Sequence, residues 1–170
     1  MKTKFRTMTG ILAILMTLGT SCFTSNLATK PEPYEIYSQK LGVKLEGNED
    51  LKFLESISSW KGTPYKYGGK SKKGTDCSGF VGSVYMEVYG KQLQRSSKDM
   101  VNDVRYVSKK DVKAGDLLFF KINGKNISHV GIYIADNKFI HASTKSGVVV
   151  NDLDQEYYQK TFYKAGRVRM

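Results

Sequence analysis

The sequence predicts an α+β domain, with helices first and a small antiparallel sheet after them. One change of pattern and one bound carry this. Between residues 48 and 90 apolar side chains recur at helical spacing, and from Asp116 onward they fall in short β-rich runs separated by turn residues. A length of 170 residues, 40% of them apolar and only three of them proline, suits one domain with a proper core and is too short for two.

Taken in order, Leu51, Phe53, Leu54, Ile57 and Trp60 mark an amphipathic helix beginning near Asn48. A loop rich in Gly and Lys follows, with Gly62, Gly68, Gly69 and Gly74. It gives way abruptly to helix at Gly74-Thr75-Asp76-Cys77-Ser78-Gly79-Phe80-Val81. Phe80, Val81, Val84, Tyr85 and Val88 form the apolar face, Asp76 is the expected N-cap and Gly90 the stop. Ser96 and Asp99 make a Ser-x-x-Asp start signal for a short helix reaching about Val104. Strands are expected over residues 116–120, 130–134, 139–142, 148–150 and 162–168, with one or two helical turns at 154–160 before the last.

The N-terminus reads as an export signal over residues 1–21: a basic head of Lys2, Lys4 and Arg6, an apolar core over residues 11–18 too short to span a bilayer, and the small residues Gly19, Thr20 and Ser21. Cys22 then resembles the lipid-modified first residue of a bacterial lipoprotein, although Gly19 stands where a leucine is usual. Ordinary cleavage to a soluble secreted protein and a Cys22–Cys77 disulfide are the other readings. Residues 22–47, with Pro31 and Pro33, show no sustained period and are expected to be a tether ahead of a domain at 48–170. The chain carries 27 basic and 16 acidic residues; losing Lys2, Lys4 and Arg6 leaves 24 against 16, a charge of +8. That excess suits a polyanionic or carboxylate-rich partner. No helix-turn-helix, zinc-finger or aromatic RNA-binding signature is present, so nucleic acid is set aside in favour of cell wall or membrane surface.

The chemistry gathers around Cys77. A cysteine in a helix's first turn faces free N–H groups and the positive end of the dipole, which favours thiolate. The only two histidines, His129 and His141, fall in adjacent predicted strands. A three-residue hairpin loop at Ala135-Asp136-Asn137 places His141 opposite Gly131 and both imidazoles on one face; a two-residue loop places them on opposite faces. A nucleophile, a base and a group orienting the base are then available. One thiolate and two imidazoles also suit Zn²⁺ with an open position, but no acidic or further Cys ligand clusters with them, so neither metal nor cofactor is expected.

These residues carry a resemblance. Gly62-Thr63-Pro64-Tyr65-Lys66-Tyr67-Gly68-Gly69, Thr75-Asp76-Cys77-Ser78-Gly79-Phe80-Val81, Arg95-Ser96, Ala114-Gly115-Asp116-Leu117, His129-Val130-Gly131-Ile132-Tyr133-Ile134 and Phe139-Ile140-His141-Ala142 are similar, in this order, to the motifs of the NlpC/P60 cell-wall cysteine peptidases. The resemblance implies a papain-like fold in which Cys77 attacks an amide of a peptidoglycan stem peptide or cross-bridge, His129 is the general base and His141 orients it. It also implies that the Tyr65 hydroxyl helps the Cys77 N–H to hold the oxyanion, and that Arg95 and Ser96 contact substrate. The chain is then a monomeric lipoprotein of the cell envelope, anchored through Cys22 at the periplasmic face of an outer membrane. The competing reading is a wall-binding envelope lipoprotein that keeps the fold without catalysis. Lys61, Lys66, Lys70, Lys72 and Lys73 are expected at the site mouth, facing substrate carboxylates.

Overall fold

The computed structural model describes residues 33–122 and 124–170. The export signal, Cys22 and the first part of the expected tether lie outside the described residues. Three helices come first: α1 (Pro33–Leu41), α2 (Leu51–Trp60) and α3 (Cys77–Tyr89), with a ribbon of β1 (Lys70–Ser71) and β2 (Gly74–Thr75) just before α3. The remainder is β3 (Val104–Val107), β4 (Leu117–Phe120), β5 (His129–Ala135), β6 (Lys138–Ser143), β7 (Gly147–Asp152), the short helix α4 (Glu156–Thr161) and β8 (Phe162–Val168). The six long strands form one antiparallel sheet in the order β3-β8-β4-β5-β6-β7. The chain therefore has the α+β architecture that its change of period predicts.

Local chemistry sets the helix ends. Asp50 caps α2 by accepting the N–H groups of Lys52 and Phe53, and Asp76 caps α3 by accepting that of Gly79. Gly90 ends α3 in the left-handed conformation, at φ 62°. The Ser96 hydroxyl accepts the Asp99 N–H, as the start signal predicts, but the result is a single 3₁₀ segment at Asp99–Asp103 followed directly by β3. Two carboxylates, one in the helix layer and one in the sheet, act as clamps. Glu87 on α3 accepts from Ser56 Oγ and Trp60 Nε1 of α2, and Asp116 accepts Arg167 Nε and Nη2 at 2.7 Å each, tying the start of β4 to β8.

The sheet has two covered faces. Along β4, Leu117 and Phe119 join the core shared with α1, α2 and α3, while Leu118 and Phe120 join a smaller cluster with Phe139, Leu153 and Tyr158 of α4. All four are fully buried, hence their unbroken apolar run. The outer strand β7 does not end the hydrogen bonding: Gly62 N–H donates to Val148 O and Val148 N–H donates to Thr63 O, both at 2.8 Å.

Two expectations are corrected here. The tether does not extend to residue 47. Helix α1 packs on α2, Leu41 and Val43 are 2% and 3% exposed, and the Tyr34 hydroxyl donates to Glu49 O. The β5–β6 hairpin is the other. Its loop is the two residues Asp136 and Asn137, both at positive φ (48° and 55°), as a type I′ turn requires. Ala135 pairs with Lys138 but Ile132 pairs with Ile140, so one extra residue is accommodated on β5 between Tyr133 and Ala135. The bulge restores the register that a three-residue loop would give, and the imidazoles share a face after all.

Burying a large aliphatic side chain contributes about 1.5–3 kcal/mol. A chain begun at residue 48 is therefore expected to unfold at clearly lower urea than one begun at residue 33, as read by tryptophan fluorescence of Trp60. Equal midpoints would restore the longer tether.

Candidate active site

Cys77 opens α3, and the geometry around it starts from Asp76. The Asp76 carboxylate accepts Gly79 N–H at 2.6 Å, Gly68 N–H at 2.9 Å, and both ends of the Arg95 guanidinium at 3.0 and 2.7 Å. Burial alone would raise its pKa; Arg95 and the two N–H groups overcome this and hold it below the usual carboxylate range. Gly79 lets the preceding loop lie on the helix start, since a Cβ there would stand 2.0 Å from Gly69 O.

Cys77 lines a cavity of about 660 Å³ with Tyr65, Tyr67, His129, His141, Lys145 and Tyr158. A larger groove of about 910 Å³ runs beside α3 past Met86, Glu87 and Arg95, but it contains no nucleophile with a base beside it. His129 Nε2 lies 2.8 Å from His141 Nδ1, with the rings nearly perpendicular. His141 stacks on Phe139, and its Nε2 lies 2.9 Å from Asn151 Oδ1 and 3.2 Å from Tyr158 Oη. The approach of β6 to Gly131 is tight. A Cβ there would meet the Phe139 ring at 2.8 Å and His141 Cβ at 3.1 Å, so the glycine is needed for this close approach.

Burial works against the expected thiolate and favours the neutral form of the thiol and of both imidazoles. Burial pushes the Cys77 thiol up; the N–H groups of Val130, Ser78 and Cys77 itself offset this only in part, and Asp76 adds to the rise. Burial, followed by the neighbouring His141, pushes His129 down to about 3. Burial lowers His141 as well, against the pull of Asn151. Tyr65 is raised, by burial first and then by Cys77, Asp76 and Tyr67, so its hydroxyl remains a donor. Because the facing imidazole nitrogens are bonded to each other at 2.8 Å, no ion fits between them. Among the described residues no group of three or more His, Cys, Asp or Glu side chains is arranged to hold a metal.

The structure thus brings Cys77, His129, His141 and Tyr65 to one cavity. Arg95 and Ser96 do not line it: Arg95 holds Asp76 and the Ser78 hydroxyl, and Ser96 starts the 3₁₀ segment. Of the lysines expected at the mouth, Lys61 donates to Lys40 O and Lys72 to Ser59 Oγ, while Lys145, unmarked by the sequence pattern, lines the cavity. Asn151 and Tyr158 were also invisible to that pattern. One follows a valine run and the other is one of 11 tyrosines.

Residues 62–167 match the NlpC/P60 family profile. The chain belongs to the NlpC/P60 family. It is 37% identical over 145 residues to the murein DD-endopeptidase MepS/murein LD-carboxypeptidase of Escherichia coli, covering 85% of this chain and 73% of that one. It is 44% identical over 115 residues to the probable endopeptidase NlpC of Escherichia coli, covering 67% and 75%. Among solved structures it is similar to an NLP/P60-family lipoprotein-like protein of Staphylococcus aureus, with TM-score 0.65 and 31% identity over 72% of this chain and 43% of that one. The NlpC/p60 domain of the peptidoglycan hydrolase SagA gives TM-score 0.60 and 30% identity over 70% and 97%.

The neutral histidines have a consequence for stability. A histidine whose folded pKa lies below the usual 6.5 takes its proton in the unfolded chain first, so its stabilising effect is full above pH 6.5 and is lost as pH falls toward about 3. Each such histidine costs up to about 1.4 kcal/mol per pH unit in that window. Asp76 and Asp152, held below the usual 3.8, lose their contribution only as pH falls through that value. Urea midpoints are expected to fall between pH 6.5 and 4.5, and to fall less in a His129→Gln, His141→Gln double variant. A wild-type midpoint constant over that range would contradict the neutral pair.

Proposed function

We propose that this chain is a peptidoglycan endopeptidase in which the Cys77 thiol is the nucleophile. The observation that carries the reading is a buried, mutually bonded imidazole pair lining the same cavity as a thiol at a helix start. The murein and peptidoglycan hydrolases named among the relatives support the substrate class. His129 has committed Nε2 to His141, so Nδ1 is the nitrogen that serves the thiol. As sulfur adds to the amide carbonyl carbon, the thiol proton passes to His129 Nδ1. Because the thiol starts protonated and the imidazole is a weak base, this transfer accompanies bond formation rather than preceding it.

The carbonyl oxygen becomes an oxyanion, held by the Cys77 N–H and the Tyr65 hydroxyl. Collapse breaks the C–N bond, and His129 returns its proton to the departing amine, leaving a thioester. Water, losing a proton to the same nitrogen, then releases the carboxylate and restores the thiol. His141 accepts the His129 Nε2–H throughout and steadies the imidazolium that forms transiently. The bond proposed is the D-Ala to diaminopimelate cross-bridge, on the length of the match to a protein named as a DD-endopeptidase. Cys22, lipid-modified after cleavage of residues 1–21, would anchor this domain at the envelope membrane.

Cys77→Ser and His129→Ala are each expected to lower kcat by roughly a thousandfold or more, His141→Asn by less, on muropeptides followed by mass spectrometry. The wild type should convert cross-linked dimers to monomers with intact tetrapeptide stems. Stems ending at D-Glu would reassign the bond, and muropeptides left uncut by the wild type would overturn the hydrolase reading. For the anchor, Cys22→Ser should release the protein to the soluble fraction with its activity on soluble muropeptides retained. Membrane association unchanged in that variant would refute lipid attachment there.

A further inference from the structure

We infer that Asn151 is a positioning residue: its side-chain carbonyl selects, through His141, the one tautomer of His129 that can act as a base toward Cys77. The inference rests on the thiol-hydrolase reading for its purpose, but its geometry is independent of substrate. His141 Nε2, Asn151 Oδ1 and Tyr158 Oη form a closed triangle with sides of 2.9, 3.2 and 3.2 Å. Its third side is the Tyr158 hydroxyl donating to Asn151 Oδ1.

Two proton arrangements compete. An amide oxygen only accepts, so a carbonyl facing His141 requires the proton to be on His141 Nε2. A neutral imidazole has one N–H, so His141 Nδ1 then carries a lone pair and must accept from His129 at 2.8 Å. The His129 proton is thereby fixed on Nε2, and Nδ1 is left with the lone pair that can take the thiol proton. In the rival arrangement the Tyr158 hydroxyl donates to His141 Nε2. Its Nδ1 then bears the proton and donates to His129 Nε2, and His129 keeps its own proton on Nδ1, the nitrogen that the proposed mechanism assigns to the thiol. That site has every group in place and no base. Tyr158 can support either arrangement, since a hydroxyl both donates and accepts; Asn151 Oδ1 supports only the first.

The arrangement is built into the fold. Asn151 lies on β7 opposite Phe139 on β6, the ring on which His141 stacks, and His141 itself is 3% exposed. Water has little access to His141, so the choice of tautomer falls to Asn151 and Tyr158.

The chain has only two histidines, so long-range ¹H–¹⁵N correlation of full-length protein labelled at histidine, made without a histidine tag, reads both rings without ambiguity. Near pH 7 both rings are expected to carry their proton on Nε2. A wild-type His141 protonated on Nδ1 would overturn the inference without any variant being made. In Asn151→Leu the opposite tautomer should appear in both rings, and kcat on muropeptides should fall roughly tenfold to a hundredfold at little-changed KM. Asn151→Asp, which keeps an acceptor at the same place, and Tyr158→Phe, which removes the competing donor, should both keep the protons on Nε2. Unchanged tautomers in a folded Asn151→Leu protein, or loss of the pattern in Tyr158→Phe alone, would assign the selection elsewhere. Failure of the hydrolase reading would show instead as a wild type that leaves muropeptides intact while its tautomers match.

Discussion

The Asp76 carboxylate is the constraint on which the rest of the site depends. It is 7% exposed, yet it joins three separate pieces of chain: the loop through Gly68, the start of α3 through Gly79, and the segment after α3 through Arg95. A buried carboxylate is costly unless several donors meet it, and here backbone N–H groups and a two-pronged guanidinium do so. Cys77 is the next residue. Its backbone position is therefore set by the most heavily bonded side chain nearby, while the thiol itself meets only backbone N–H groups, that of Val130 first.

The thiol and the imidazoles line one cavity, and burial favours the uncharged form of each. Helix-start cysteines gain from the N–H groups and dipole beside them, but that gain is modest against the desolvation of a nearly enclosed sulfur. In the proposed mechanism, charge separation is then disfavoured until a polarisable carbonyl arrives to take up negative charge between the Cys77 N–H and Tyr65.

Much of this was legible in the sequence. The α3 start, its stop at Gly90, the five strands of the second half and the grouping of Cys77 with the two histidines follow from period, capping chemistry and motif order. What stayed hidden shares one cause, dependence on a tertiary partner. Helix α1 has a weak apolar stripe, and only its docking on α2 makes Leu41 and Val43 core. Strand β3 is short, its Arg105 and Tyr106 exposed, and pairing with β8 defines it. The hairpin's register was right for the wrong loop, because a bulge leaves no mark in a run of apolar residues. Asn151 and Tyr158 belong to elements with unremarkable patterns, and they matter only because the fold brings both to His141.

The pairing of the Gly62 and Thr63 backbone with Val148 has a further consequence. A strand at the margin of a sheet ordinarily presents an open row of donors and acceptors to other molecules, a hazard for a protein at high local concentration. Here the margin is stitched to the segment that leads into Tyr65, while the same strand continues to Asn151 three residues on. The segment leading into Tyr65 and the strand carrying Asn151 are thus parts of one hydrogen-bonded unit. A change at the margin of β7 that broke these two bonds would therefore free the segment leading into Tyr65 and loosen the strand that carries Asn151 at the same time.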